Sequence, residues 1–258
     1  MVRGLDIFRE YFAGHADRFV LIGGTAATLA MEEAGLEFRT TKDLDIVLHI
    51  EALSPSFGEA FWRFVEAGGY EIRRASQTGK PVFYRFQKPA DERFPYMLEL
   101  FCRAPAGINL ADGSHLTPIP IDDAAASLSA ILLDDIYYDF ILAGRKEVDG
   151  LPWIGEDRLI PLKASAWLDL GLRQAKGEPV DSKNIRKHAN DVLRLSQLLA
   201  PDVRIAIAPR IAQDLNRFLD GLEADSSIDP KSIRINGSIA EIVERIALAY
   251  GLNRRRET

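Results

Sequence analysis

The chain has one cysteine, Cys102, in 258 residues. No internal disulfide is available, and a reducing, cytoplasmic setting is expected. Any run of about 18 apolar residues is also missing, so no membrane span is expected. The opening "MVRGLDIFREYFAGHADRF" is interrupted by charges and lacks the apolar stretch of a secretory signal. Positive charge is not in excess either, because the formal net charge is −6. Proteins that grip nucleic-acid backbone with a whole face usually carry the opposite sign. A nucleic-acid partner would have to be met by a local patch. Arg73 with Arg74, Lys183 with Arg186 and Lys187, and Arg254 through Arg256 are such patches, and ordinary solvated surface explains them equally well. The histidines show no zinc-ligand spacing. No Ser/His/Asp context and no internal repeat stands out.

What remains is an ordinary globular composition, 47% hydrophobic and 27% charged, with ample material for a core. The apolar spacing predicts a helix over 4–14, a buried strand in "RFVLIGG", a helix in "TAATLAMEEAG" and a strand in "DLDIVLHI". A glycine-stopped amphipathic helix follows at 55–68, then strands at 70–74, 81–87 and 96–103. The stretch 104–125 reads as loop around one short strand, "LTPIPI", and 136–142 as a further strand, with Tyr137 and Tyr138 on a sheet edge. "LIPLKASAWLDLGLRQAK" reads as extended at first and helical after, and helices are predicted over 181–200, 201–222 and 236–251. The fold class is α+β, a mixed β-sheet core flanked by helices (1–155) followed by a C-terminal helical subdomain (156–258).

Three features bear on chemistry. In "FRTTKDLDIVL", strand alternation puts Asp43 and Asp45 on one face, with Leu44, Ile46 and Leu48 toward the core. Two neighbouring carboxylates repel and are costly to ionise together without a partner. They are either solvated acids at a strand end, beside Arg39 and Lys42, or holders of a divalent cation such as Mg²⁺, which takes oxygen ligands. In "VLIGGTAATLA", Gly23 and Gly24 sit between a strand and a helix. That turn serves chain reversal, or it offers backbone N–H groups and a helix dipole to a phosphate, with Thr25 as a further donor or cap. Glu99 lies between Leu98 and Leu100 in an otherwise apolar strand. It pairs with Arg85 or Arg103, or it is a third acid beside Asp43 and Asp45.

Together these blocks resemble the DNA-polymerase-β-like nucleotidyltransferases. "VLIGGTA" and the run Arg39-Thr40-Thr41-Lys42-Asp43-Leu44-Asp45 resemble the AbiEii/AbiGii toxin-type branch, which shows "vLiGGTA" and R-x-T-x-D-[IL]-D. The resemblance implies that Asp43, Asp45 and Glu99 hold two Mg²⁺ (or Mn²⁺) ions and are catalytic. It implies that Gly23, Gly24 and Thr25 take the triphosphate of an NTP substrate, and that Arg39 and Thr41 frame the nucleotide. Lys163, and then Lys187 and Asp191 in "RKHANDVLRL", match the branch's later lysine and K-D-x-x-D pattern, with His188 where an acid is usual. That departure leaves room for a catalytically idle nucleotide-binding regulatory protein. The implied acceptor is an RNA such as tRNA, with a cognate antitoxin as partner. The superfamily alternative is a small molecule, as in antibiotic-modifying relatives.

Overall fold

The computed structural model describes residues 2–74, 81–106, 116–119 and 129–254. Most of the expected 104–125 loop and the basic residues Arg255 and Arg256 lie outside them, as do the side chains of Arg73 and Arg74. The chain forms two compact units, Met1–Leu29 with Arg39–Ile154, and Ala30–Phe38 with Gly155–Thr258.

The first unit is built on a mixed sheet. Its strands are β1 (Phe19–Ile22), β2 (Asp43–Leu48), β3 (Glu71–Arg74), β4 (Pro81–Gln87), β5 (Met97–Cys102), β6 (Leu116–Pro118), β7 (Ser129–Leu132), β8 (Arg145–Val148) and β9 (Leu151–Ile154). Their order is β3-β4-β5-β2-β1-β9-β8, with β7 beside the end of β5 and β6 on β7. β2 runs parallel to β5 and antiparallel to β1, so the acids lie in the middle of the sheet.

One face of the sheet is covered by aromatic packing. Helices α1 (Leu5–Tyr11) and α3 (Pro55–Gly68) bring Phe8, Phe57, Phe61 and Phe64 together with Phe12, just beyond α1, and with Phe19 and Phe86 of the sheet. Seven rings buried to this degree each contribute roughly 1.5–3 kcal/mol. The α3 helix forms where expected because Ser54 caps it, Pro55 suits its first turn and Gly69, at φ 60, ends it. The same sheet face carries Leu44, Ile46, Leu98 and Leu100, all buried, while Asp43, Asp45 and Glu99 alternate to the other.

Three of the expected elements take another form, and strands β7, β8 and β9 come in addition to them. Residues 136–142 are not a strand but lie in helix α4 (Asp135–Ala143), capped by Asp134, whose side chain accepts from the N–H groups of Ile136 and Tyr137. Tyr138 is fully buried, and its hydroxyl donates to the carbonyl of Leu48. This tertiary anchor and the cap override the strand preference of the Ile-Tyr-Tyr run. After α4, β8 and β9 form a hairpin closed by Asp149 and Gly150, with φ 51 and 75. Positive φ at both loop positions is the requirement that Asp-Gly meets best.

The second unit is helical: α5 (Glu156–Ala175), α6 (Ser182–Leu195), α7 (Pro209–Ala224) and α8 (Ile239–Ala249). The segment "LIPL" is helical from its start, although it contains Pro161. Proline lacks the N–H that would bond the carbonyl four residues back. The Tyr250 hydroxyl donates to that carbonyl, of Asp157, at 2.9 Å. The helix expected over 201–222 begins only at Pro209, because the backbone before it bonds elsewhere, from Ile205 N to the Ala249 carbonyl. No described helix is long and apolar enough to cross a membrane.

Candidate active site

The site is assembled where β1 ends. Four buried residues, Phe19–Ile22, carry the chain to Gly23 at φ +66, and helix α2 (Gly23–Glu33) starts at once. A Cβ on Gly23 would lie 1.8 Å from Oδ2 of Asp45, so the carboxylate occupies the space that any other side chain needs. A Cβ on Gly24 would come 2.7 Å from the Thr41 hydroxyl and 3.4 Å from a terminal nitrogen of Arg39. The glycine pair and the Arg39–Asp45 block, separated in sequence, therefore touch. Glycine is demanded twice at position 23, by backbone conformation and by contact.

Thr25 is fully buried and donates its hydroxyl to the Asp43 carbonyl at 2.8 Å. It lies in the first turn of α2 rather than at its cap. The bond ties the start of the helix to the strand that carries the acids. Thr41 is buried, and Arg39, Asp43 and Asp45 are half-buried.

The ladder sets the acids in a row. Asp45 faces Ile22 on β1 and Glu99 on β5, and Glu99 faces Arg85 on β4. Of the two arginines that might pair with Glu99, Arg85 does so. Its Nε donates to Oε1 at 2.5 Å, and a terminal nitrogen reaches the same oxygen. Arg103 bonds Glu51 and Asp139 instead. Cys102 alternates away from Glu99 and is buried, which, with the Glu51 charge nearby, pushes its thiol up to about 12.

Asp43 and Asp45 supply hard oxygen donors on one side of one strand, beside the glycine turn that opens α2. This set fits a small divalent cation that takes the rest of its shell from water and substrate oxygens. Among the described residues no three His, Cys, Asp or Glu side chains gather as a metal-holding group. Glu99 stands opposite Asp45 in the ladder, with its carboxylate on Arg85.

In the second unit, Lys163 and Asp191 are brought together. The ammonium donates to Asp191 Oδ2 at 3.0 Å, with side chains 6% and 0% exposed. Lys187 is exposed on α6 and His188 half-buried. That the first two residues would find each other was not read from the sequence. The signal was there: Lys163 falls on the stripe of Leu159, Ile160 and Ala164, and Asp191 on that of Val192 and Leu195, so both point inward with opposite charge.

No protein-family model and no curated protein matches this chain. Among solved structures, it is similar to an antigenic nucleotidyltransferase-like protein from Paracoccidioides brasiliensis, at 16% identity and a TM-score of 0.42 over 89% of this chain and 91% of that one. A candidate nucleotidyltransferase from Helicobacter pylori is similar at 15% identity and a TM-score of 0.32 over 95% and 91%. Likenesses this remote leave function to be argued from the geometry of the site.

Proposed function

We propose that the chain is a nucleotidyltransferase, moving a nucleoside monophosphate from an NTP to an acceptor hydroxyl. The observation that carries this reading is the contact of Gly23 with Asp45. It joins a turn suited to phosphate with a carboxylate pair suited to a metal ion. The N–H groups opening α2, with the helix dipole behind them, suit the triphosphate. Asp43 and Asp45 would hold Mg²⁺ or Mn²⁺, which when bound supplies charge neutralisation at the phosphates and at the attacking oxygen. Gly23 and Gly24 let phosphate approach the backbone, and the Arg39 guanidinium offers planar paired donors beside Gly24. The acceptor oxygen attacks the α-phosphorus in line, a P–O bond forms, the bond to the bridging oxygen breaks and pyrophosphate leaves. The hydroxyl proton passes toward Asp45, the acid at the turn. A second ion would need Glu99, whose carboxylate Arg85 holds.

The R-x-T-x-D-[IL]-D match favours the toxin-like half of a toxin–antitoxin or phage-defence pair, with RNA as acceptor. The net charge of −6 favours a small-molecule acceptor instead. Incubation with each labelled NTP and either total RNA or cell metabolites separates the two by where the label goes. The double variant Asp43→Ala/Asp45→Ala is expected to lose more than roughly 100-fold in transfer while keeping its melting temperature. Transfer at the wild-type rate by that variant would remove the assignment.

A further inference from the structure

Glu99 is the acid whose engagement is most plainly seen. Arg85, Glu99 and Asp45 are register partners on three adjacent strands, so they stand in a row at about 4.8 Å per strand on one face. Both contacts from Arg85 go to one oxygen of Glu99, Oε1. The Glu99 side chain is 13% exposed and that of Arg85 29%, so the attraction is screened less than at an open surface. No three-acid group forms among the described residues. An ion taking both oxygens of Glu99 would have to displace the guanidinium from Oε1, and one taking Oε2 alone would share the carboxylate with that fixed positive charge.

We propose that Arg85 is a positioning residue that keeps Glu99 out of the metal site. One divalent ion is then held, by Asp43 and Asp45, and the positive charge on Glu99 is the guanidinium of Arg85. This rests on the nucleotidyl-transfer reading and sharpens it from a two-ion to a one-ion site. A guanidinium needs no capture from solution.

The test is Mn²⁺ binding to the full chain without nucleotide, read from the electron paramagnetic resonance of the free ion, with melting curves for every variant. The wild type is expected to bind one ion. Asp45→Asn is expected to weaken binding by more than about tenfold, at least the loss typical of disturbing a metal's supporting residues. Arg85→Met releases Glu99 and is expected to tighten binding about fivefold or to add a second ion, since an uncompensated acid attracts a cation. The double variant Arg85→Met/Glu99→Gln removes both charges and is expected to bind within about twofold of wild type, a difference of under 0.5 kcal/mol. A double variant more than about tenfold weaker shows Glu99 to be a ligand already, and overturns the inference while leaving the nucleotidyl-transfer reading standing. An Arg85→Met variant that folds and binds as wild type overturns it too. If Asp45→Asn binds as well as wild type, the metal site is wrong, and both readings fall.

Discussion

A charged pair joins neighbouring elements in each unit, and the two pairs differ in how far water reaches them. Lys163 and Asp191, between α5 and α6, are 6% and 0% exposed, whereas Arg85 and Glu99, between β4 and β5, are 29% and 13% exposed. Full burial makes a pair hard to break, because each ion has given up its water. Partial exposure leaves water able to replace a departing partner. The first pair is therefore a fixture of the helical unit, and the second is a weaker pair that water reaches. The resemblance gives Lys163 and Asp191 to the nucleotide, but the pair's burial sets a cost on that role that exposed Lys187 does not bear.

The largest effect is expected from breaking the buried pair. Asp191→Ala strands the Lys163 ammonium and is expected to lower stability by about 3–5 kcal/mol, measured by urea titration. Replacing both, as Lys163→Met/Asp191→Leu, is expected to recover most of that loss, because an apolar pair carries no desolvation cost. If Asp191→Ala left stability unchanged and instead removed nucleotide binding, the pair would belong to the chemistry and the comparison would invert.

Two glycines sharpen the same contrast. Gly23→Ala places a methyl 1.8 Å from Asp45 Oδ2 and holds alanine at φ +66. The conformation alone costs about 1–2 kcal/mol, and Asp45 must leave the turn, so the Mg²⁺–NTP shift in melting temperature is expected to disappear. Gly221→Ala, inside α7, places its methyl 2.5 Å from the Trp167 ring. Crowding of about 1–3 kcal/mol outweighs or cancels the roughly 1 kcal/mol gained in helix propensity. A loss of stability is expected there, with transfer per folded molecule unchanged. The same substitution thus reads out function in one unit and packing in the other. A Gly23→Ala variant that keeps its nucleotide-dependent shift would break that division.

Much of the first unit was legible because its signals are local. Strands β1, β2, β4 and β5 are short apolar-rich runs bounded by glycine, proline or charge, and α3 carries its own cap and stop. Alternation in β2 assigned Asp43 and Asp45 to one face, as found. What escaped depends on distant partners. Helix α4 is written in strand-forming residues and owes its state to the Asp134 cap and to the place found for Tyr138. Pro161 reads as a break unless it is known that Tyr250 will serve the orphaned carbonyl. Strand β9 joins β1 through a single register pair, Leu21 with Trp153, which no local pattern announces. The hairpin β8–β9 was missed although its signal is local, the Asp149-Gly150 pair that best tolerates positive φ. At the site, the pattern supplied the acids and the glycines, while their contact, and the choice of Arg85 over Arg103 by Glu99, came from the strand order.

The smallest effect is expected from Arg85→Met. Two bonds to one oxygen look strong on paper, but both partners keep some access to water, and side chains held in place lose entropy. Methionine keeps much of the apolar stem that arginine lays along the sheet. A loss within about 1 kcal/mol is therefore expected by urea titration, and less at high salt, where screening has already weakened the wild-type pair. A variant this stable is what makes the Mn²⁺ measurement readable, because any change in ion affinity then reports the release of Glu99 rather than a damaged sheet. A loss above about 3 kcal/mol would put Arg85–Glu99 in the same class as Lys163–Asp191. The pair would then be a fixture of the sheet, and the distinction between a weaker and a permanent charge pair would not hold for this protein.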